Sequence, residues 1–200
     1  MNYIVLDLEW NLPLSKANMI KKPVKLGGEI IQIGAVKMDE ALNRIIDEFD
    51  VMVQPRFYKK MHKKAQDITL ITNEVLRFGI PFEEAINQFR EWCGKDHILL
   101  TWGDADVPML ENNLNIHGMD YRWIPESFDV QLMFDDEVTM ENRNFSLSYA
   151  IWKLGIKPFP AHNALNDAKN TGEIIKRLDA PNWIEEERRY MSENMNCVMA

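Results

Sequence analysis

Two carboxylates standing two residues apart at the end of an apolar run constrain this chain more than any other feature. Tyr3-Ile4-Val5-Leu6-Asp7-Leu8-Glu9-Trp10 reads as a strand, and the two-residue period of a strand puts Asp7 and Glu9 on one side of it. Like charges that close raise each other's pKa and are costly on a buried strand unless a cation neutralises both. The fold therefore either brings further ligands to the end of this strand or leaves that end in solvent.

The rest of the chain is long enough to surround such a site. Its 200 residues are 46% hydrophobic, with nine glycines and nine prolines, which describes one globular domain with a sizeable core. The N-terminus carries no basic leader, and no apolar run approaches the roughly 18 to 20 residues of a membrane span, so a cytoplasmic protein without membrane association is expected. Cys93 and Cys197 have no partner pattern and read as free thiols. A net charge of −8 argues against sequence-blind binding of polyanions by a basic face. Two local basic stretches stand out against it: Lys16, Lys21, Lys22 and Lys25, then Arg56, Lys59, Lys60, Lys63 and Lys64. Each is either a solvated loop or a track for phosphates.

The pattern of elements predicts a mixed sheet. Residues 11–28 read as an unusually long loop. Glu29–Met38 and Arg44–Gln54 read as an antiparallel pair of strands across the short polar Asp39–Asn43. Within Ile68–Asn73 a Thr or Asn is expected to cap a short helix running to Leu76, and a clearer one opens at Pro81 and stops before Gly94. Ile98–Trp102 reads as a buried strand, Asp106–Ile116 as a helix, Ser127–Phe134 as a last strand, and Ser146–Leu154 and Ala164–Leu178 as helices. The charged segment after Pro181 reads as a surface helix or tail. An antiparallel start followed by βα crossovers gives an α/β fold with helices on both faces, and sites in such sheets gather at the carboxyl ends of neighbouring strands.

Four more residues, two of them alternatives, stand at element boundaries where they can meet Asp7 and Glu9. Asp104 and Asp106, in Trp102-Gly103-Asp104-Ala105-Asp106, follow a strand and open a helix. His162 lies just outside a helix whose first turns carry Asp167. A set of hard carboxylate oxygens suits Mg²⁺ or Mn²⁺ rather than zinc. Singly, each has an ordinary structural reading: a solvated pair, an N-cap, a loop histidine. Their occurrence in this order is what points to chemistry.

These motifs resemble those of the DEDDh 3′–5′ exonucleases of the DnaQ-like superfamily: D-x-E near the N-terminus, an aspartate after a mid-chain strand, and H-x-x-x-x-D near the domain's end. Asp7-Leu8-Glu9-Trp10-Asn11, Glu29–Val36, Trp102–Asp106 and His162–Ala168 are similar to the KapD and Eri-1-like branch, and the resemblance covers about residues 1–180, leaving 181–200 as a C-terminal helix or tail.

The resemblance implies a ribonuclease H-like fold and two Mg²⁺ or Mn²⁺ ions. Asp7, Glu9 and Asp167 would hold one metal, with Asp7 shared by a second to which Asp106 contributes. His162 would be the general base, because imidazole titrates in the neutral range. The family usually has an aromatic before its mid-chain aspartate where this chain has Ala105, so Asp104 and Asp106 compete. The spacing to the following helix favours Asp106 as the ligand and leaves Asp104 as a cap.

Leu8, Trp10, Asn11 and Thr72 fall where similar enzymes meet the terminal nucleotide, although Trp10 reads equally as a core aromatic. The expected activity is removal of 5′-mononucleotides from single-stranded 3′ ends of nucleic acid, RNA weakly favoured over DNA. A polymerase-associated proofreading exonuclease, a nucleotide phosphatase and a non-catalytic nucleic-acid-binding protein on the same scaffold are the alternatives.

Overall fold

The computed structural model describes residues 1–198, with side chains to Glu193. Cys197 therefore lies outside the described side chains, whereas Cys93 is a buried free thiol. Burial pushes that thiol's pKa up to about 12, so it is held protonated.

Six strands form one sheet: β1 (Asn2–Asn11), β2 (Glu29–Met38), β3 (Ile45–Gln54), β4 (Ile80–Pro81), β5 (His97–Thr101) and β6 (Ser127–Asp129). Their order is β4-β3-β2-β1-β5-β6. β1, β2 and β3 pair antiparallel, while β5 lies parallel to β1, β6 to β5, and β4 to β3. This is the expected mixed α/β sheet, with the two-residue β4 as an added edge.

Among the described residues eight α-helices cover it: α1 (Lys63–Thr69), α2 (Asn73–Leu76), α3 (Phe82–Cys93), α4 (Asp106–Ile116), α5 (Val130–Phe134), α6 (Leu147–Lys153), α7 (Ala164–Ile175) and α8 (Ala180–Val198). The alternation of β1 divides the core between its two faces. Ile4, Leu6 and Leu8 pack with Phe82, Ile86, Phe89, Leu110 and Leu114 of α3 and α4. Val5, on the opposite face, joins Val130, Met133, Ala150, Ala168, Ile174 and Ile184 from α5 to α8. Asp7 and Glu9 share the parity of Val5 and so face the α7 side. The terminal helix is anchored rather than loose, because Ala180 and Ile184 are buried in that same core. Among the described residues no helix is long and apolar enough to cross a membrane.

Two expectations fail for identifiable reasons. Ser127–Phe134 is not one strand: it stops at Asp129, whose carboxylate accepts from Gln131 N–H at 2.8 Å and so caps α5. Val130, Met133 and Phe134 then fall at helical spacing and are all buried. The helix continues into a π-helical turn over Asp135–Thr139. The second basic stretch is likewise not all loop. His62 caps α1 by accepting from Lys64 N–H at 3.1 Å, so Lys63 and Lys64 sit on a helix.

Candidate active site

The site is assembled by docking one helix end on one strand. Gly34 of β2 pairs with Asp7, and a Cβ built there would lie 2.0 Å from the backbone N of Leu165. Only the absence of a side chain lets the first turn of α7 rest on the sheet at that point. Two residues back, on the same face, the buried Gln32 accepts from Ala164 N–H at 3.1 Å and donates to Asp50 at 2.8 Å. Asn163 completes the helix start by accepting from Asn166 N–H. These contacts fix where Asp167, in the first turn of α7, points.

Asp167 meets the strand-end pair as the spacing suggested. One carboxylate oxygen from each of Asp7, Glu9 and Asp167 can be chosen so that all lie within 4.8 Å of one another. The carboxylate of Asp167 is itself oriented: it accepts from His162 N–H at 2.8 Å and from Asn170 Nδ2 at 3.3 Å. His162 takes a left-handed backbone conformation, φ +63°, and its ring is exposed beside the carboxylates' helix. That turn lets its N–H reach Asp167 and leaves the imidazole free for a ligand.

Asp106 arrives from the other side of β1. Parallel pairing with β5 ends at Val5, which leaves the next part of that edge without a strand partner. The Leu8 N–H is taken up there by Asp106 Oδ1 at 3.0 Å. Asp106 is 5% exposed, whereas Asp104 is exposed and does not cap α4, whose cap position is Ala105 with no side-chain bond. The assignment of Asp104 as a cap is thus corrected. It lies in the turn that Asp129 holds through Gly103 N–H.

The electrostatics describe an uncompensated cluster. Asp7 is pushed well above the usual carboxylate range, first by burial and then by Asp106, Asp167 and Glu9. Glu9 is raised to about 7, by burial and then by Asp167 and Asp106. Asp106 is raised to about 7, burial again coming first, although its bond from Leu8 N–H opposes the rise. Burial also raises Asp167, against the bonds from His162 and Asn170. A charge of this sign and density, built only of carboxylate oxygens, fits a hard divalent cation. Asp7, Glu9 and Asp167 are the residues that would hold it, with Asp106 adjoining.

The exonuclease family, RNase_T, matches residues 4–175. The chain belongs to that family. It is 29% identical over 151 residues to the PolC-type DNA polymerase III of Thermotoga petrophila, covering 75% of this chain and 10% of the polymerase, so it spans about a tenth of the length of such relatives. It is 23% identical over 197 residues to the probable 3′-5′ exonuclease KapD of Bacillus subtilis, covering 94% of this chain and 86% of that protein. Among solved structures, the nuclease domain of 3′hExo, a DEDDh family member bound to rAMP, superposes with a TM-score of 0.73 at 19% identity, covering 88% of this chain and 90% of that one. Cell-death related nuclease 4 gives the same TM-score at 18% identity, over 88% of this chain and 62% of that one. The resemblance drawn from the motifs, and the ribonuclease H-like fold it implied, are borne out.

The remaining residues expected to meet a nucleotide are placed less simply in this exonuclease domain. Leu8 turns its side chain into the core and is 3% exposed, so it offers a ligand no side chain. Asn11 is fully buried and spent on structure. Its amide donates to Tyr58 O at 2.7 Å and Lys60 O at 3.0 Å, and its oxygen accepts from His62 N–H at 2.8 Å. Trp10 is half-buried over the backbone of Gly28 and beside Met109, largely the core role. Thr72 caps α2 through Val75 N–H.

Three residues the sequence did not flag prove to organise the site: Gln32, Gly34 and Asn170. Gln32 and Gly34 fall within the Glu29–Val36 stretch that carries the family resemblance, but each of the three matters only for what the fold lays against it. Glu29 is a fourth of this kind. Its buried carboxylate accepts from the N–H groups of Arg56, Phe57 and Tyr58, and Tyr58 in turn bonds Leu26 O and Ile20 N–H. The two lysine-bearing segments are thereby tied together next to the end of β1.

Proposed function

We propose that this exonuclease acts from the 3′ end, releasing 5′-mononucleotides from single-stranded nucleic acid with the help of two Mg²⁺ or Mn²⁺ ions. The observation that carries this reading is the convergence of Asp7, Glu9 and Asp167 to within 4.8 Å, with Asp106 adjoining and an exposed His162 on the turn that orients Asp167. Bound divalent cations would supply activation of water and neutralisation of charge on the leaving oxygen.

The chain's own residues have defined tasks in that reaction. His162 accepts the proton of the attacking water as the new bond to phosphorus forms. The bond from phosphorus to the upstream 3′-oxygen breaks in line, and the terminal nucleotide leaves with its 5′-phosphate. Asp106 holds Leu8 N–H and so fixes the strand that carries Asp7 and Glu9. RNA is the weakly favoured substrate; recognition of the 2′-hydroxyl is what would decide it.

Substituting Asp7→Ala is expected to reduce release from a 3′-labelled oligonucleotide by roughly a thousandfold or more in Mg²⁺ or Mn²⁺. Equal rates in the two proteins would sink the assignment. Matched RNA and DNA oligonucleotides with free and blocked 3′ ends would settle polarity and sugar preference together. The similarity to PolC-type polymerases favours a second reading, proofreading beside a polymerase. Co-purification with a polymerase would identify it. A non-catalytic scaffold is disfavoured because Asp7, Glu9, Asp106, His162 and Asp167 are all present.

A further inference from the structure

A groove of about 720 Å³ opens beside the carboxylates, between α6 and the loop that leads to His162. Its walls are Leu147, Ile151, Trp152, Ile156, Pro158 and Phe159, and at its inner end it reaches His162, Asp167 and Asn170. Trp152 is 72% exposed and Phe159 38%, and unlike the exposed Phe78, Tyr121 and Tyr190 these two rings line one groove that reaches the carboxylates. Both residues are held in place. Trp152 ends an aromatic row, 5.7 Å from Tyr149, which stacks on Phe145 at 4.6 Å. Phe159 is clamped at its main chain by Asn170, which accepts from Phe159 N–H at 2.9 Å and donates to Phe159 O at 3.2 Å. The same amide bonds Asp167, so one buried side chain fixes the groove and the carboxylate cluster in register.

We propose that this groove is a stacking platform for unpaired bases of the substrate strand next to the nucleotide being released, with Trp152 and Phe159 as the stacking rings. The inference rests on the exonuclease reading above and adds a binding surface to it. Continuity with the site selects the occupant: whatever lies in the groove touches the residue that orients Asp167. Aromatic faces accept any base, so such a platform needs no particular sequence. An apolar wall next to the site favours an unstacked strand over a duplex, whose bases already stack on one another.

The test compares two substrates of the full chain in Mn²⁺: a single-stranded 3′-labelled oligonucleotide, and the p-nitrophenyl ester of thymidine 5′-monophosphate, which has no upstream nucleotide. Trp152→Ala and Phe159→Ala are each expected to raise KM for the oligonucleotide about tenfold, the loss of one base stack. Hydrolysis of the ester should stay within about twofold of wild type, which also shows that the variants are folded. Trp152→Phe should recover most of the oligonucleotide KM. Unchanged oligonucleotide KM in both alanine variants, with wild type active on both substrates, overturns the platform. Inactivity of wild type on both substrates overturns instead the exonuclease reading on which it rests.

Discussion

At the end of β1, two residues beyond Glu9, the wall formed by the lysine-bearing segment is held by buried polar groups that are all used up. Asn11 spends its amide on Tyr58, Lys60 and His62, and Glu29 spends its carboxylate on three successive N–H groups. On the α6 side the wall is apolar, and one amide, Asn170, ties it to the site. The first wall presents a ligand with lysines on a fixed backbone, the second with rings. A network of satisfied polar bonds gives position but exhausts the groups that make it. Packed aromatics keep a free face. The two walls are therefore expected to contribute charge and stacking separately, and each can be broken without the other.

The largest effect is expected where the α6-side wall and the carboxylate cluster depend on one contact. Gly34→Val would drive a side chain into the backbone of α7, where even a Cβ has only 2.0 Å. The helix must lift, carrying Asp167, Asn170 and the His162 turn with it. Activity should fall to background and the melting temperature by about 10 °C, the scale of several kcal/mol in a domain of this size. A variant with wild-type activity would show that α7 does not need this close seat.

Much of the framework that positions this seat was legible locally. β2 runs over Glu29–Met38 and α4 over Asp106–Ile116, as their residue patterns predict, because β-branched runs and helical spacing are properties of a short window. Where two local signals competed, the reading failed: the apolar run after Ser127 looked like one strand, but Asp129 caps a helix inside it. The acidic residues and His162 were legible as an ordered set of boundary positions. The supporting residues were not. Asn11 lay in a motif that suggested a ligand contact, and its partners are 47 to 51 positions away in sequence. Gly34 and Asn170 look ordinary until a helix is laid on one and a loop on the other.

Separating the walls calls for the two asparagines. Asn11→Ala leaves the carbonyls of Tyr58 and Lys60 and the N–H of His62 without their partner. It should cost about 2–4 kcal/mol, read as a clear drop in denaturant midpoint. Asn170→Ala lies nearer the chemistry. It should lower kcat on the p-nitrophenyl ester by about tenfold or more, through a misaligned Asp167, with a smaller stability loss. The two walls do not act separately if Asn11→Ala is the more damaging to ester turnover.

The cluster also predicts a pH dependence of opposite sign to that of ordinary paired carboxylates. Glu9 rises to about 7 in the folded protein against a usual 4.5. Between those values the folded state holds a proton that the unfolded state has lost, so this group's contribution to stability falls as pH rises through the window and stays low above it. In the presence of a chelator, Glu9→Gln should therefore melt several degrees above wild type at pH 8 and level with it near pH 4. Adding Mn²⁺ at pH 8 should reverse the order, since only the carboxylate gains a ligand. A pH-independent difference in chelator would show that Glu9 carries no such strain.

The smallest effects are expected from single lysines. Lys59 and Lys60 lie between Tyr58 and His62 on the wall that Glu29 and Asn11 fix, and both are exposed. Removing either should raise KM for a single-stranded oligonucleotide only about twofold at moderate salt. The slope of log KM against log salt carries more information, because each phosphate contact on a single strand contributes about 0.7 to it. Lys60→Ala should shrink the slope by about that amount. Trp152→Ala should leave the slope as it is while raising KM at every salt concentration, because stacking releases no counterions. Equal salt slopes in the lysine variant and wild type would remove the lysine-bearing wall from the substrate path and leave the groove beside α6 as its main support.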